Sequence, residues 1–382
     1  MKYPLFKIHI DKNKALYEIG KVFDSGYINE GATVNLFREK LANFLGVENL
    51  VLTNSCTSAL TLALKISGVG PGAEVITTPM TCIATNTPIV NLGANIVWAD
   101  ITSIEGNIDY RDIEKKISKN TKAIVYVDWG GTPAQLEEIH RLGLFYKIPV
   151  IQDAAHAFGA RWDNQPISNF ADFTCYSFQA IKHLSSGDGG AIVTNKAVYN
   201  DYARKLKWFG YDRDEVKDES GEWKGQKWDA DIKEGEIGYK FNMNNIAAAI
   251  GLSQLNHIES ILNDHRSNAE IYARVFSGSE FITQLDVPQK ALSSFWVFTC
   301  LISELVDRDK LLFLLNSEGI GAGLVHLPND NYSAFSKFKS FLPQTRKFQD
   351  TQISLPCGWW LTTKDCEFIA EKTLKVIKSL LR

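Results

Sequence analysis

The chain has 382 residues, enough for one large domain and a smaller one, and its 45% hydrophobic and 22% charged residues are ordinary for a globular protein. A net charge of −3 with no basic block gives no footprint for nucleic acid or an anionic membrane. No window reaches the roughly 18 apolar residues of a membrane span, and the N-terminus has no apolar signal core, so the expected compartment is the cytoplasm. The six cysteines form no CxxC pair and no zinc-like spacing with histidine, so no metal is expected.

Residues 16–30 read as a helix ending in a turn at Ser25-Gly26. Val34, Phe37, Leu41, Phe44 and Leu45 then recur at spacings of three and four, which predicts an amphipathic helix with Gly46 as its C-cap. NLVLTN is a short β-rich run, and SCTSALTLALKIS is a helix that starts in small polar residues. There the orphan N–H groups and the hydroxyls of Ser55, Thr57 and Ser58 form either a phosphate seat or an ordinary N-cap. Strand and helix then alternate: EVITT and a helix around 84–91, NIVWAD and one around 110–117, KAIVYVD and AQLEEIHRLGLFYK, then IPVIQD. Such alternation predicts a mostly parallel sheet with helices on both faces and ligands at the carboxyl ends of the strands. Asn54, Asp100, Asp128 and Asp153 fall at those ends. Asp153 stops a buried strand just before tiny residues and His156. A carboxylate there needs a cation or a set of donors; it either caps the following turn or partners a protonated ring nitrogen.

From Phe173 to Asn195 the pattern is strand, lysine, glycine-rich turn, strand. Lys182 lies between the strands, ahead of Gly187, Asp188, Gly189 and Gly190. Lysine is almost never fully buried without a partner, so Lys182 either snorkels to water or has a function. A helix over 198–210 leads into 211–240, a charged stretch without periodicity, expected to be a mobile or substrate-facing loop. MNNIAAAIGLSQLNHIESILNDHRSNAEIYARVF reads as one long helical pattern. The domain boundary is expected near residue 250, giving a large domain 1–250 and a small one 251–382. In the latter, SSFWVFTCLIS predicts a strand, 308–317 a helix, GAGLVH a further strand and 364–381 a closing helix.

The order of these parts resembles the fold-type I pyridoxal-phosphate enzymes, and within them the nucleotide-sugar aminotransferase family called DegT/DnrJ/EryC1/StrS. SGYINEG, NSCTSAL, PGAEVITTP, IQDAAHAFGA, CYSFQAIKHLSSGDGGAIVTN and GYKFNMNNIAAAIGLSQL match its landmarks, from about Gly26 to the last helix. The resemblance implies an α/β fold: a large domain with a mostly parallel seven-stranded sheet flanked by helices, plus a smaller C-terminal α+β domain. It implies that Lys182 carries pyridoxal 5'-phosphate covalently and that Asp153 pairs with the pyridinium nitrogen. Ser177, Thr57 and Ser58 would hold the phosphate, and His156 would sit beside the ring. Cys82 stands where relatives often stack an aromatic residue on the cofactor. Lys240 stands where relatives carry an asparagine that reaches the cofactor phosphate of the neighbouring subunit. His326 is expected near the sugar, as is Trp129, whose VDWGGTP stretch replaces a more usual histidine-bearing one.

By the same resemblance the chain is a homodimer with shared active sites. It would move an amino group from L-glutamate to a nucleotide-diphosphate keto sugar, at C4 of a 4-keto-6-deoxyhexose, for O-antigen or another surface glycan; position C3 is the alternative. A branch of the family that removes a hydroxyl has histidine where Lys182 stands, so Lys182 favours transamination over a sugar dehydratase. A non-enzymatic regulator would want a helix-turn-helix module or a basic face, and the sequence offers neither.

Overall fold

A computed structural model describes residues 1–212, 215 and 229–381. Part of the 211–240 stretch expected as a loop therefore lies outside the described residues. Two helices open the chain, α1 (Lys12–Asp24) and α2 (Ala32–Leu45). α1 starts earlier than expected because the Asp11 side chain accepts the Lys14 N–H and caps it. α2 buries Val34, Phe37, Leu41 and Leu45 and stops at Gly46, whose φ of 72° is the left-handed value that glycine reaches without strain.

β1 (Leu50–Thr53) leads into α3 (Cys56–Ile66). The alternation continues through β2 (Glu74–Thr77), α4 (Ile83–Asn91), β3 (Asn95–Trp98), α5 (Tyr110–Lys116), β4 (Thr121–Val127), α6 (Leu136–Tyr146) and β5 (Val150–Asp153). A short ribbon of β6 (Arg161–Trp162) and β7 (Gln165–Pro166) precedes β8 (Phe173–Ser177), β9 (Gly190–Thr194) and α7 (Ala197–Leu206). The seven-stranded sheet has the order β1-β9-β8-β5-β4-β2-β3, and β9 alone runs against the rest. Its strands are buried on both faces. α2 and α6 cover one face, α3 and α7 the other, as a parallel sheet requires.

The long helical pattern is two helices, α8 (Asn245–Leu255) and α9 (Ile258–Phe276). Neither Gly nor Pro marks the break. At the break the His257 ring bonds the Asp11 carboxylate at 3.1 Å. Residue 250 falls inside α8, whose Ala248 and Leu252 pack into the core of the large sheet. The change of core runs along α9. Ile258 and Leu262 belong to the large sheet, while Ala269, Ile271, Tyr272 and Phe276 belong to a C-terminal core.

That part contains β10 (Ile282–Gln284), β11 (Ala291–Leu292), β12 (Phe298–Ile302), α10 (Arg308–Ser317), α11 (Pro343–Thr351), β13 (Gln352–Leu355) and α12 (Thr363–Leu380). β10, β12 and β13 form an antiparallel sheet, β11 joins the ribbon of β6, and Tyr3 from the N-terminus enters the C-terminal core. The strand predicted over SSFWVFTCLIS begins only at Phe298; before it, Ser293 and Ser294 bond to the Gly131 and His156 carbonyls instead of pairing in a ladder. GAGLVH forms no strand beyond a single bridge from Gly323 to Ser354. Among the described residues, no helix is long and apolar enough to cross a membrane.

Candidate active site

The hairpin of β8 and β9 carries Lys182 in its turn, and the turn closes over the ends of other strands. Ser55 after β1, Val127 at the end of β4, Asp153 at the end of β5 and Ser177 at the end of β8 all line one cavity of about 310 Å³. This is the carboxyl edge where a parallel sheet gathers ligands. Gly190 permits the arrangement: a Cβ there would lie 2.4 Å from the Ser55 carbonyl carbon and 2.5 Å from the Cys56 nitrogen. No other residue lets β9 pass so near the start of α3.

Lys182 is half-buried at the edge of this cavity, and desolvation pushes its amine down to about 8, with Asp153, Cys82 and Cys56 acting in the opposite direction. An amine near neutrality is both nucleophile and proton carrier. Its Nζ lies 3.5 Å from the centre of the Trp296 ring. Asp153 is buried as well, and burial pushes its carboxyl up. Its oxygens accept from the Thr85 hydroxyl at 2.7 Å, the Ala155 N–H at 3.0 Å and, weakly, the Cys56 thiol at 3.8 Å. These donors and Lys182 favour the ionised form.

Two histidines close the wall. His156 Nε2 and His326 Nε2 are 3.3 Å apart, and their rings stack at 5.3 Å and 13°. Burial drives His156 well below the usual histidine range and His326 down to about 3, each pushed further by Lys182. Both are neutral at neutral pH, so one donates N–H to the other's lone pair. His156 Nδ1 is buried with no hydrogen-bond partner among the described residues.

The cavity thus brings together Thr57, Cys82, Asp153, His156, Ser177, Lys182 and His326 of the residues predicted from sequence. Ser58 does not face it. Its hydroxyl donates to Asn54 Oδ1 at 2.6 Å and meets Ser55 Oγ at 2.9 Å, so it braces the start of α3 from behind. Trp129 is buried and also off the wall; it packs edge-on against His156 at 6.3 Å, His326 at 5.9 Å and Phe348 at 5.5 Å. Trp129 therefore stands behind the histidine pair, away from the cavity surface. Lys240 lies outside the cavity of its own chain, with its ammonium 4.1 Å from the Trp208 ring centre and bonded to Asn242. Two other strand-end carboxylates are structural. Asp100 accepts the Gln344 and Thr345 N–H groups and caps α11, and Asp128 accepts from Gln152 and Ala134.

Trp296 and Thr85 belong to the site although no motif contained them, whereas Gln179 and Asp188 lie inside the CYSFQAIKHLSSGDGGAIVTN stretch but were given no role there. The spacing of Thr81, just before α4, and Thr85, in its first turn, could have hinted at Thr85; their hydroxyls meet at 2.7 Å. Trp296 sits in an apolar run indistinguishable from a core strand.

The sequence profile of the DegT/DnrJ/EryC1/StrS aminotransferase family matches residues 9–374. The UDP-4-amino-4,6-dideoxy-N-acetyl-β-L-altrosamine transaminase of Helicobacter pylori is 32% identical over 97% of this chain and 96% of its own length. The UDP-4-amino-4-deoxy-L-arabinose–oxoglutarate aminotransferase of Shewanella sediminis is 32% identical over 98% of both chains. The crystal structure of the sugar aminotransferase CalS13 from Micromonospora echinospora superposes with a TM-score of 0.89 at 31% identity, over 98% of this chain and all (100%) of that one.

Aminotransferases of this family use pyridoxal phosphate, and the cavity fits that group. It has one amine for an aldehyde, Lys182, and one buried carboxylate that needs a cation, Asp153. It has the orphaned His156 Nδ1, and the hydroxyls of Ser55, Thr57 and Ser177 beside a helix start for a phosphate. The chain belongs to the DegT/DnrJ/EryC1/StrS aminotransferase family and is a pyridoxal-phosphate-dependent transaminase.

Proposed function

We propose that this transaminase moves an amino group from glutamate to the C4 keto group of a UDP-linked 4-keto-6-deoxy sugar, in the cytoplasm, for a surface polysaccharide. The observation that carries the reading is the meeting of Lys182 and Asp153 in one cavity: a nucleophilic amine and a buried carboxylate that awaits a protonated ring. Two similar proteins have names that put an amine at C4 of a UDP-linked sugar, and one name includes oxoglutarate, the keto acid left when glutamate gives up its amine.

Bound pyridoxal phosphate supplies the electron sink. Lys182 holds it, and Lys182 Nζ is the group to take up and return a proton at the donor's Cα. Asp153, aimed by Thr85 and Ala155, keeps a proton on the cofactor ring nitrogen by offering a buried anion. Ser55, Thr57 and Ser177 provide hydroxyls for the phosphate. The neutral His156–His326 pair offers donor and acceptor capacity to a sugar without adding charge. Leu60, Val127, Ile181 and Trp296 add apolar surface to the wall.

The reading includes a homodimer. Tyr27, Ile28, Phe209 and Ile237 are 40%, 48%, 46% and 81% exposed. Their segments are neighbours, tied by the Ile28 carbonyl to the Asn245 N–H and the Tyr239 carbonyl to the Phe209 N–H. Apolar groups gathered on a surface need a cover, which a second copy of the chain supplies. Lys240 borders this face and is assigned to the partner's cofactor phosphate, as a point charge.

The test is incubation of the holoenzyme with glutamate and keto-sugar nucleotides, followed by mass spectrometry. A 4-amino sugar nucleotide with stoichiometric oxoglutarate is expected. A deoxy sugar would mean a dehydratase, and amination of 3-keto substrates alone would move the position to C3. No amino product from any keto-sugar nucleotide would refute the reading.

A further inference from the structure

Trp296 is the most connected ring of the cavity wall. It is 2% exposed. Its indole N–H donates at 2.9 Å to the carbonyl of Ile181, the residue before Lys182, so ring and lysine backbone are fastened together. His156 stacks on it at 4.1 Å and 22°, and Phe6 from the N-terminal segment stacks at 4.7 Å and 24°. That segment is pinned in turn, since Trp360 and Trp359 donate their indole N–H groups to the Pro4 and Lys7 carbonyls.

We propose that Trp296 is a positioning residue for Lys182: its ring is the resting seat of the lysine ammonium, and Phe6 clamps that ring in place. The inference rests on Lys182 being the cofactor lysine. A cation is drawn to the face of an aromatic ring by the ring's quadrupole, most strongly to Trp and most strongly where water is excluded. Nζ lies 3.5 Å from the centre of a tryptophan ring that is itself buried, with the lysine half-buried over it, so the ring is of the best kind and the ammonium is partly desolvated. The seat answers a problem of location. Lys182 must hold the cofactor and also carry protons, and a long side chain without a fixed place would lose orientation between those roles.

The sign of the effect is definite. Burial favours the neutral amine, whereas the ring favours the ammonium, together with Asp153, Cys82 and Cys56. The other titratable groups facing Lys182 are His156 and His326 in the wall, His183 in the turn and His265 beyond it, all held neutral by burial, with Asp188 in the same cavity and Lys7 across the wall formed by Trp296. None of them replaces a ring face as a seat.

The experiment uses the full-length protein freed of cofactor and requires no turnover. It is exposed to pyridoxal phosphate across a pH series and trapped with borohydride, and the Lys182 adduct is counted by peptide mass spectrometry. Trp296→Leu should move the labelling midpoint down by about half to one and a half pH units, because the neutral amine then appears at lower pH. Trp296→Phe should restore most of the midpoint, and Phe6→Ala should move it in the same direction as Trp296→Leu but less. An unchanged midpoint in Trp296→Leu, with a native circular-dichroism spectrum, overturns the proposal. If Trp296→Leu does not fold, an unchanged midpoint in Phe6→Ala overturns it instead. Absence of any Lys182 adduct in the unmutated protein overturns the assignment of Lys182, and the proposal with it.

Discussion

The Nε2 atoms of His156 and His326 lie 3.3 Å apart although the residues are 170 positions apart in the chain. Each neutral ring satisfies one nitrogen of the other. Removing one leaves a buried polar atom without its partner, at a cost of about 1–3 kcal/mol, or roughly five- to hundredfold. His326→Ala should therefore lower kcat/KM of the sugar half-reaction by that factor. The glutamate half-reaction, followed separately by stopped-flow absorbance, should change little. His326→Gln, which keeps a donor, should recover most of the loss. Equal loss in both half-reactions would contradict the placement of His326 at the sugar.

Lys182→Ala should fold with an unchanged circular-dichroism spectrum, since the lysine fills a cavity edge and not a packed core. It should lose the visible absorbance of covalently held cofactor and all measurable turnover. Normal transamination by this variant would refute the role of Lys182.

Thr85 Oγ1 donates to Asp153 Oδ2 at 2.7 Å. Thr85→Val keeps the shape and removes the donor, so the buried carboxyl shifts further up and pairs less well with a protonated ring nitrogen. A hydrogen bond to a charged group contributes about 1.5–3 kcal/mol, so cofactor affinity should fall roughly ten- to hundredfold. Asp153→Asn should lose more. Absorbance titration with pyridoxal phosphate reads both; an unchanged Kd in Thr85→Val would remove Thr85 from the site.

His265 is buried and pushed down to about 4 by burial, though its Nδ1 meets the Phe295 carbonyl at 2.8 Å. Its unfolded value is near 6.5, as for any histidine. Between those values only the unfolded chain binds the proton, so its contribution to stability is complete above pH ~6.5 and falls as pH drops, by up to ~1.4 kcal/mol per pH unit. Asp128 works with the opposite sign. Burial raises it to about 7, so its contribution is lost as pH rises from its unfolded range to about 7. Urea unfolding at pH 7, 6 and 5 should therefore show a shallower acid loss in His265→Gln than in the wild type, and a flatter decline toward pH 7 in Asp128→Asn. Parallel curves would contradict both.

If Lys240 serves the partner's cofactor, Lys182→Ala and Lys240→Ala chains, each poorly active alone, should complement when mixed and refolded. Half the dimers are then mixed, each with one intact site, so up to about a quarter of the activity should return. No recovery, with dimers confirmed by light scattering, would place Lys240 outside the shared site.

Periodic and local features were legible from sequence because they follow from backbone geometry alone. The spacing of Val34, Phe37, Leu41 and Leu45 specified the buried face of α2, and the alternating runs specified a sheet covered on both faces. Lys182 and Asp153 were legible as candidates, because a lysine and a carboxylate at the ends of buried strands are costly unless they meet a partner, but local pattern left two readings open for each, and only the family resemblance chose between them.

Which way a side chain faces, and what it meets from far along the chain, only the tertiary structure decided. It turned Ser58 to Asn54 and Trp129 to the back of the histidine pair, and it set Lys240 against Trp208. It divided one long helical pattern into two helices at Asn256 and His257, where the His257 ring bonds Asp11, 246 positions away. Above all it brought Trp296 onto Lys182 and Phe6 onto Trp296. A tryptophan in an apolar run has the same local pattern whether it fills a core or seats an ammonium; the difference lies in contacts between distant segments, which no local periodicity records.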